Sequence, residues 1–148
     1  MLKCNKLGDF KKYFNQNMAG LNMPAPADFV GNYNTALANA IVIVETMQNL
    51  VTAATMGMVV GATTGLEKLK VIALMTASVY MGAVIGSLAV ASGRVLGCGS
   101  SLADFFVFVN QNRLNFKNSD YFFRTHPEIF DQNSKFRTSY HSRSTMVS

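Results

Sequence analysis

The 148-residue chain carries 13 basic and 8 acidic residues, a formal net charge of +5, and only 14% of its residues are charged, against about 25% in ordinary soluble domains. Its length suits one domain, and mean hydropathy is mildly positive at +0.19. Two widely separated cysteines, Cys4 and Cys98, and an N-terminus without an apolar core argue against a disulfide scaffold and a cleaved secretory signal.

Charge is segregated along the chain. Residues 1–35 sum to +2, residues 36–93 to zero and residues 94–148 to +3. Glu45 is the one charged residue between Asp28 and Glu67, and 23 uncharged residues separate Lys70 from Arg94. Basic flanks beside apolar stretches suit an anionic lipid surface better than nucleic acid. The pattern divides the chain into an N-terminal amphipathic segment (1–33), a hydrophobic hairpin (34–98), an aromatic and partly helical segment (99–131) and a basic tail (132–148).

In chain order, Leu7, Phe10, Phe14 and Met18 recur at helical spacing with Lys11 and Lys12 off the stripe. They predict a short amphipathic helix that lies on a membrane or covers a bundle. Gly20 and Pro24-Ala25-Pro26 end it. From Thr35 to Ala62 runs a long hydrophobic segment with a polar stripe of Asn39, Glu45, Gln48, Asn49, Thr52 and Thr55. Ile41, Val44, Leu50, Val51, Ala54 and Met58 occupy the opposite side.

The second hydrophobic segment, Val71–Ala91, is the stronger membrane signal. As a helix, the uncharged run before Arg94 would extend about 35 Å, enough for a hydrocarbon core of about 30 Å. The link Thr63–Lys70 is short and polar, so the expected architecture is all-α with a two-helix hairpin that crosses a membrane. Gly57 and Gly61 on the first helix, and Gly82 and Gly86 on the second, are spaced four apart. Such strips let helix backbones approach closely.

Gly93, Gly97 and Gly99 break the second helix. Ser101 and Asp104 have capping-box spacing and open an amphipathic helix from Leu102 to about Arg113, although its Phe-rich run also has β propensity. Residues 115–131 are aromatic, Pro127 blocks a long helix, and the Ser-, Thr- and Lys-rich tail from about Gln132 reads as disordered.

The positive-inside bias places both termini in the cytoplasm and the link on the far side. Glu45, with Gln48, Asn49 and Thr52, could line a conducting path; the plainer alternative is that Glu45 marks the edge of a span starting at Thr46. Lys11, Lys12, Arg94, Lys135, Arg137 and Arg143 are the residues expected to meet anionic headgroups. His126 and His141 have no companions with metal-ligand spacing. Ser100 lacks the preceding strand of a phosphate loop or nucleophile elbow. No catalytic group, metal or cofactor is expected.

The leading functional expectation is a pore-forming or permeability-altering membrane protein that oligomerises through its hairpin. Its layout is similar to two-span holins and pore-forming toxins, without a shared motif. The alternatives are a non-conducting structural subunit or anchor of a larger envelope or secretion assembly, and a helical-bundle interaction protein whose hydrophobic segments form its core.

Overall fold

The computed structural model describes residues 10–25, 32–50, 54–62, 75–92, 102–131 and 134–142. Over these residues the chain forms α1 (Phe10–Gly20), α2 (Tyr33–Gln48), α3 (Met56–Ala62), α4 (Ala77–Ala91), α5 (Leu102–Gln111) and α6 (Ser119–Thr125). Two 3-10 turns, Pro127–Ile129 and Arg137–Ser139, follow. The architecture is all-α, as the periodicity predicts. The one β feature among the described residues is an isolated antiparallel bridge between Thr55 and Thr76.

The membrane-spanning hairpin is not what these residues build. Among them, no helix is long and apolar enough to cross a membrane. The most apolar helix, α4, has 15 residues, about 22 Å at 1.5 Å per residue, short of a hydrocarbon core of about 30 Å. Every α4 residue except Ser78 is buried. A helix that is apolar all round needs a non-aqueous neighbour on every side. Here the chain supplies it. The expected multi-pass membrane location with cytoplasmic termini, and the transmembrane and pore-forming descriptions attached to it, are corrected accordingly. Val84 and Leu88, which a span would present to lipid, have no exposed surface.

The cover comes from both ends of the chain. Helix α1 makes the most extensive contact with α4, and α2, α3, α5, α6 and the first 3-10 turn also pack against it. On α1, Phe14 and Met18 of the predicted stripe are buried and Phe10 is half-buried, while Lys11 and Lys12 face outward; Leu7 lies outside the described residues. On α2, Ala36, Ala40, Ile43, Val44 and Met47 are buried, the three-and-four spacing of one helix face. Asn32 caps α2, its side chain accepting from the Thr35 N–H at 2.9 Å, which satisfies a donor that the first turn leaves open.

The first hydrophobic segment is not one helix. It stops at Gln48, with Asn49 as C-cap, and resumes at Met56. Ala54 and Thr55 are extended instead and pair with Met75–Ala77. Met56 N–H donates to the Met75 carbonyl and Ala77 N–H to the Ala54 carbonyl, both at 2.8 Å. The β-branched Thr55 and Thr76 suit that conformation. This clasp also fixes where α4 begins, six residues after the predicted Val71; residues 71–74, and the link before them, lie outside the described residues.

The C-terminal third folds back over α4. Helix α5 buries Phe105, Phe108 and Val109 and ends at Gln111; Arg113 just beyond it, with φ 58°, turns the chain so that Leu114 N–H reaches the Val109 carbonyl at 3.0 Å. Pro127 stops α6, as expected, and starts the first 3-10 turn. Phe105 stacks on Phe130 with centroids 4.5 Å apart and meets Phe123 edge-on at 5.0 Å. The expectation of a disordered tail is corrected for residues 134–142. Tyr140 has no exposed surface, and its hydroxyl donates to the Val79 carbonyl in α4.

Two glycines make this closure possible. A Cβ at Gly82 would collide with Phe122 and sit 2.8 Å from the Tyr140 hydroxyl; one at Gly86 would strike the Ile129 carbonyl oxygen and sit 2.7 Å from its carbon. The neighbour at Gly86 is backbone and cannot rotate away. Gly86→Ala is therefore expected to destabilise the protein by about 1–3 kcal/mol, the range for overpacking a filled core, despite alanine's better helix propensity. Urea unfolding followed by circular dichroism measures it.

Candidate functional site

Two groups of polar side chains come together in the fold, and they differ in whether their hydrogen-bonding capacity is spent. The first is buried at the junction of α1, α4 and the C-terminal turns. Asn17, 1% exposed, donates through Nδ2 to Ser87 Oγ and to the Ile129 carbonyl, each at 2.8 Å. Arg137 donates through Nη2 to Asn17 Oδ1 at 2.9 Å and to the Asn17 carbonyl at 3.3 Å, and through Nη1 to the Glu128 carbonyl at 3.0 Å. The guanidinium packs so closely on α1 that a Cβ at Gly20 would lie 2.5 Å from Nη2.

Burial sets the electrostatics of this junction. Desolvation pulls the Arg137 pKa down, and the neighbouring charges of Asp131 and Glu128 partly offset it. Desolvation pushes the Tyr140 hydroxyl well above the usual tyrosine range, and the Glu128 charge pushes the same way. Tyr80, whose hydroxyl donates to the Pro24 carbonyl at 3.1 Å, is raised by burial as well. His126, also buried, stacks on Phe122 with centroids 4.4 Å apart. Asn17 and Arg137 bond within the chain, which makes the junction a clamp that ties α1 and the C-terminal segment to α4.

The second group lines an open groove of 740 Å³ between α5 and α6, within the roughly 300–1,000 Å³ typical of ligand sites. Helix α5 contributes Phe106 and Asn110, the following turn Asn115, Phe116 and Asn118, and α6 Ser119, Asp120, Tyr121 and Arg124. The floor is rigid. Asn115 Nδ2 donates to Asn110 Oδ1 at 2.6 Å, and Ser119 Oγ donates to Asn115 Oδ1 at 3.3 Å while accepting from Phe116 N–H at 3.2 Å. From α2, Gln48 Nε2 donates to the Asn115 carbonyl at 3.0 Å. Asn118, at φ 65°, is a left-handed position that asparagine tolerates.

The rim is unspent. Asn118 precedes α6 without a side-chain capping bond. Among the described residues, the Asp120 carboxylate, the Tyr121 hydroxyl and the terminal nitrogens of Arg124 have no hydrogen-bond partner; Arg124 uses only Nε, on the Asp120 carbonyl at 3.3 Å. Tyr121 is 59% exposed.

The residues singled out from sequence are dispersed. Glu45, Gln48 and Asn49 lie on the exposed side of α2, and Thr52 is outside the described residues. Gly57 and Gly61 lie in α3, Gly82 and Gly86 under the C-terminal segment. Lys11, Lys12 and Lys135 are exposed, with Lys12 Nζ over the Tyr13 ring and Lys135 Nζ over the Phe136 ring. Arg137, expected at a lipid surface, is instead half-buried with its guanidinium engaged inside the fold. Arg94 and Arg143, like Cys4 and Cys98, lie outside the described residues. No three His, Cys, Asp or Glu side chains among the described residues are grouped to hold a metal ion.

Sequence reasoning missed the groove. Its signal was present as Asn110 in the last turn of α5 and Asn112, Asn115 and Asn118 crowded into the turn that follows it. Compared with known proteins, the chain matches no family model, no curated protein and no solved structure.

Two outcomes test the clamp. Arg137→Met removes several hydrogen bonds from a charged donor and is expected to cost about 3 kcal/mol, whereas Lys135→Met on the exposed surface should stay within about 0.5 kcal/mol; denaturant midpoints decide. With pH, the raised tyrosines hold their protons in the folded chain longer than in the unfolded one. Their contribution is therefore fully present below the ordinary value of 10.0 and is lost as pH rises above it towards the folded values. Stability should fall above pH 10, and less steeply in Tyr140→Phe, as measured by thermal unfolding across that range.

Proposed function

We propose that this chain is a non-catalytic recognition domain: a helical bundle built on a buried apolar helix that presents the α5–α6 groove to a ligand. One observation carries the reading. Among the described residues, the side chains of Asn118, Asp120 and Tyr121 and the terminal nitrogens of Arg124 make no hydrogen bond, while those on the groove's floor bond to one another. A groove whose floor is already hydrogen-bonded does not have to order that floor on binding, which lowers the cost of association.

The groove's chemistry favours binding over catalysis. A nucleophile needs a base within hydrogen-bond reach, and Ser119, the hydroxyl on the floor, is buried and already bonded to Asn115 and the Phe116 amide. Asp120 and Arg124 stand at the exposed edge, with no serine, cysteine or histidine of the lining beside them other than the buried Ser119. A helical pore needs a span, and among the described residues no helix is long and apolar enough to provide one.

Amide-resolved NMR of the full chain, titrated with a library of small polar fragments, tests the proposal. Shifts are expected to cluster on Phe106, Asn110, Asn118, Tyr121 and Arg124. Shifts scattered over the surface, or concentrated elsewhere, overturn it.

A further inference from the structure

We infer that the α5–α6 groove takes a neutral oligosaccharide, with Tyr121 as the stacking ring and Asn118, Asp120 and Arg124 as hydroxyl partners. This rests on the groove being a binding site and goes on to name its ligand class.

Charge comes first. The lining carries one acid, Asp120, and one base, Arg124, a turn apart on α6. An anionic ligand would meet the carboxylate and a cationic one the guanidinium, so the net-neutral lining selects an uncharged ligand. Recognition of a phosphopeptide uses a cluster of arginines, and a nucleic-acid backbone needs several cations along its track. This groove has one arginine, with an acid beside it.

Peptide modes fit poorly for separate reasons. Adding a strand requires an open sheet edge, and both walls are helices. Docking an amphipathic helix requires a continuous apolar strip, but six of the nine lining residues are polar. A polyproline segment seats between exposed aromatic ridges. Here Phe116 is 5% exposed and Phe106 half-buried, which leaves Tyr121 as the one strongly exposed ring.

A sugar matches what remains. Each hydroxyl is donor and acceptor on one atom. A neighbouring pair can give to the acceptor-only Asp120 carboxylate and accept from the donor-only Arg124 guanidinium, while the Asn118 amide offers both. The apolar C–H face of a pyranose lies against a single aromatic face, whose electron-rich surface attracts the positively polarised hydrogens. One exposed ring beside an acid, a base and an amide fits this chemistry. The groove's open form admits a segment of a longer chain.

Titrating the full chain with soluble cello-, manno-, chito- and xylo-oligosaccharides, by saturation-transfer NMR and calorimetry, tests the inference. Binding of at least one is expected, with transfer strongest to its ring C–H protons. Tyr121→Ala should weaken it about tenfold, the effect of losing one aromatic contact, while Tyr121→Phe retains most of it and Asp120→Ala lowers it. Both positions are exposed, so unchanged circular dichroism accompanies these losses. Absence of transfer to all four sugars, or binding indifferent to Tyr121→Ala and Asp120→Ala, overturns the inference. Unmodified peptides that shift the groove's resonances in place of sugars overturn the ligand class alone; fragments that fail to cluster there remove the site itself.

Discussion

Enclosure of α4 is the constraint from which the other arrangements follow. Burying side chains such as Val79, Met81, Val84, Ile85, Leu88 and Val90 is worth about 1.5–3 kcal/mol each, but only if every side of the helix is covered. No single amphipathic partner can do that. Helices α1, α2, α3, α5 and α6 and the first 3-10 turn each supply part of the cover, drawn from sequence on both sides of α4. The termini of the described chain are thereby committed to the core, as the burial of Phe14 at one end and Tyr140 at the other shows.

Close cover needs close approach, and this gives Gly82, Gly86 and the Asn17–Arg137 clamp a common rationale. The glycines remove side-chain bulk where Phe122, Tyr140 and the Ile129 backbone must lie against α4. That proximity traps backbone carbonyls of the 3-10 turn in a dry environment, where an unsatisfied polar group costs on the order of 1–3 kcal/mol. Asn17 and Arg137 satisfy two of them, at Ile129 and Glu128. The groove is the other side of the same arrangement. The aromatic rings that fix α5 and α6 to each other, Phe105, Phe116 and Phe123 among them, point inward. The amides and charges of the intervening turn remain at the surface.

Much of the local structure was legible in the chain. Helical spacing in Leu7–Met18 and Leu102–Arg113 marks α1 and α5 to within a few residues, and Pro127 stops α6. Less legible was the interruption between α2 and α3. The hydrophobic run continues through it, and Thr55 adopts an extended conformation because Thr76, twenty-one residues later, provides a partner. Arg137 reads as a surface cation in a basic tail, since nothing near it in sequence announces Asn17, 120 positions away. The groove escaped for a similar reason. An asparagine-rich turn signals a loop, and only the meeting of α5 with α6 makes its side chains converge.

By itself the sequence determined that the chain is helical and that Ala77–Ala91 must avoid water, because residue periodicity and the cost of hydrating apolar surface are local properties. Which non-aqueous neighbour that helix finds is not a local property. Lipid tails and a protein's own side chains are alike to a valine or leucine, and the same run of residues satisfies either. Only the tertiary structure decided it, by bringing Phe14, Ile43, Phe105, Ile129 and Tyr140 together from distant parts of the chain. In doing so it turned α4 into a core and left the polar side chains between α5 and α6 at the surface.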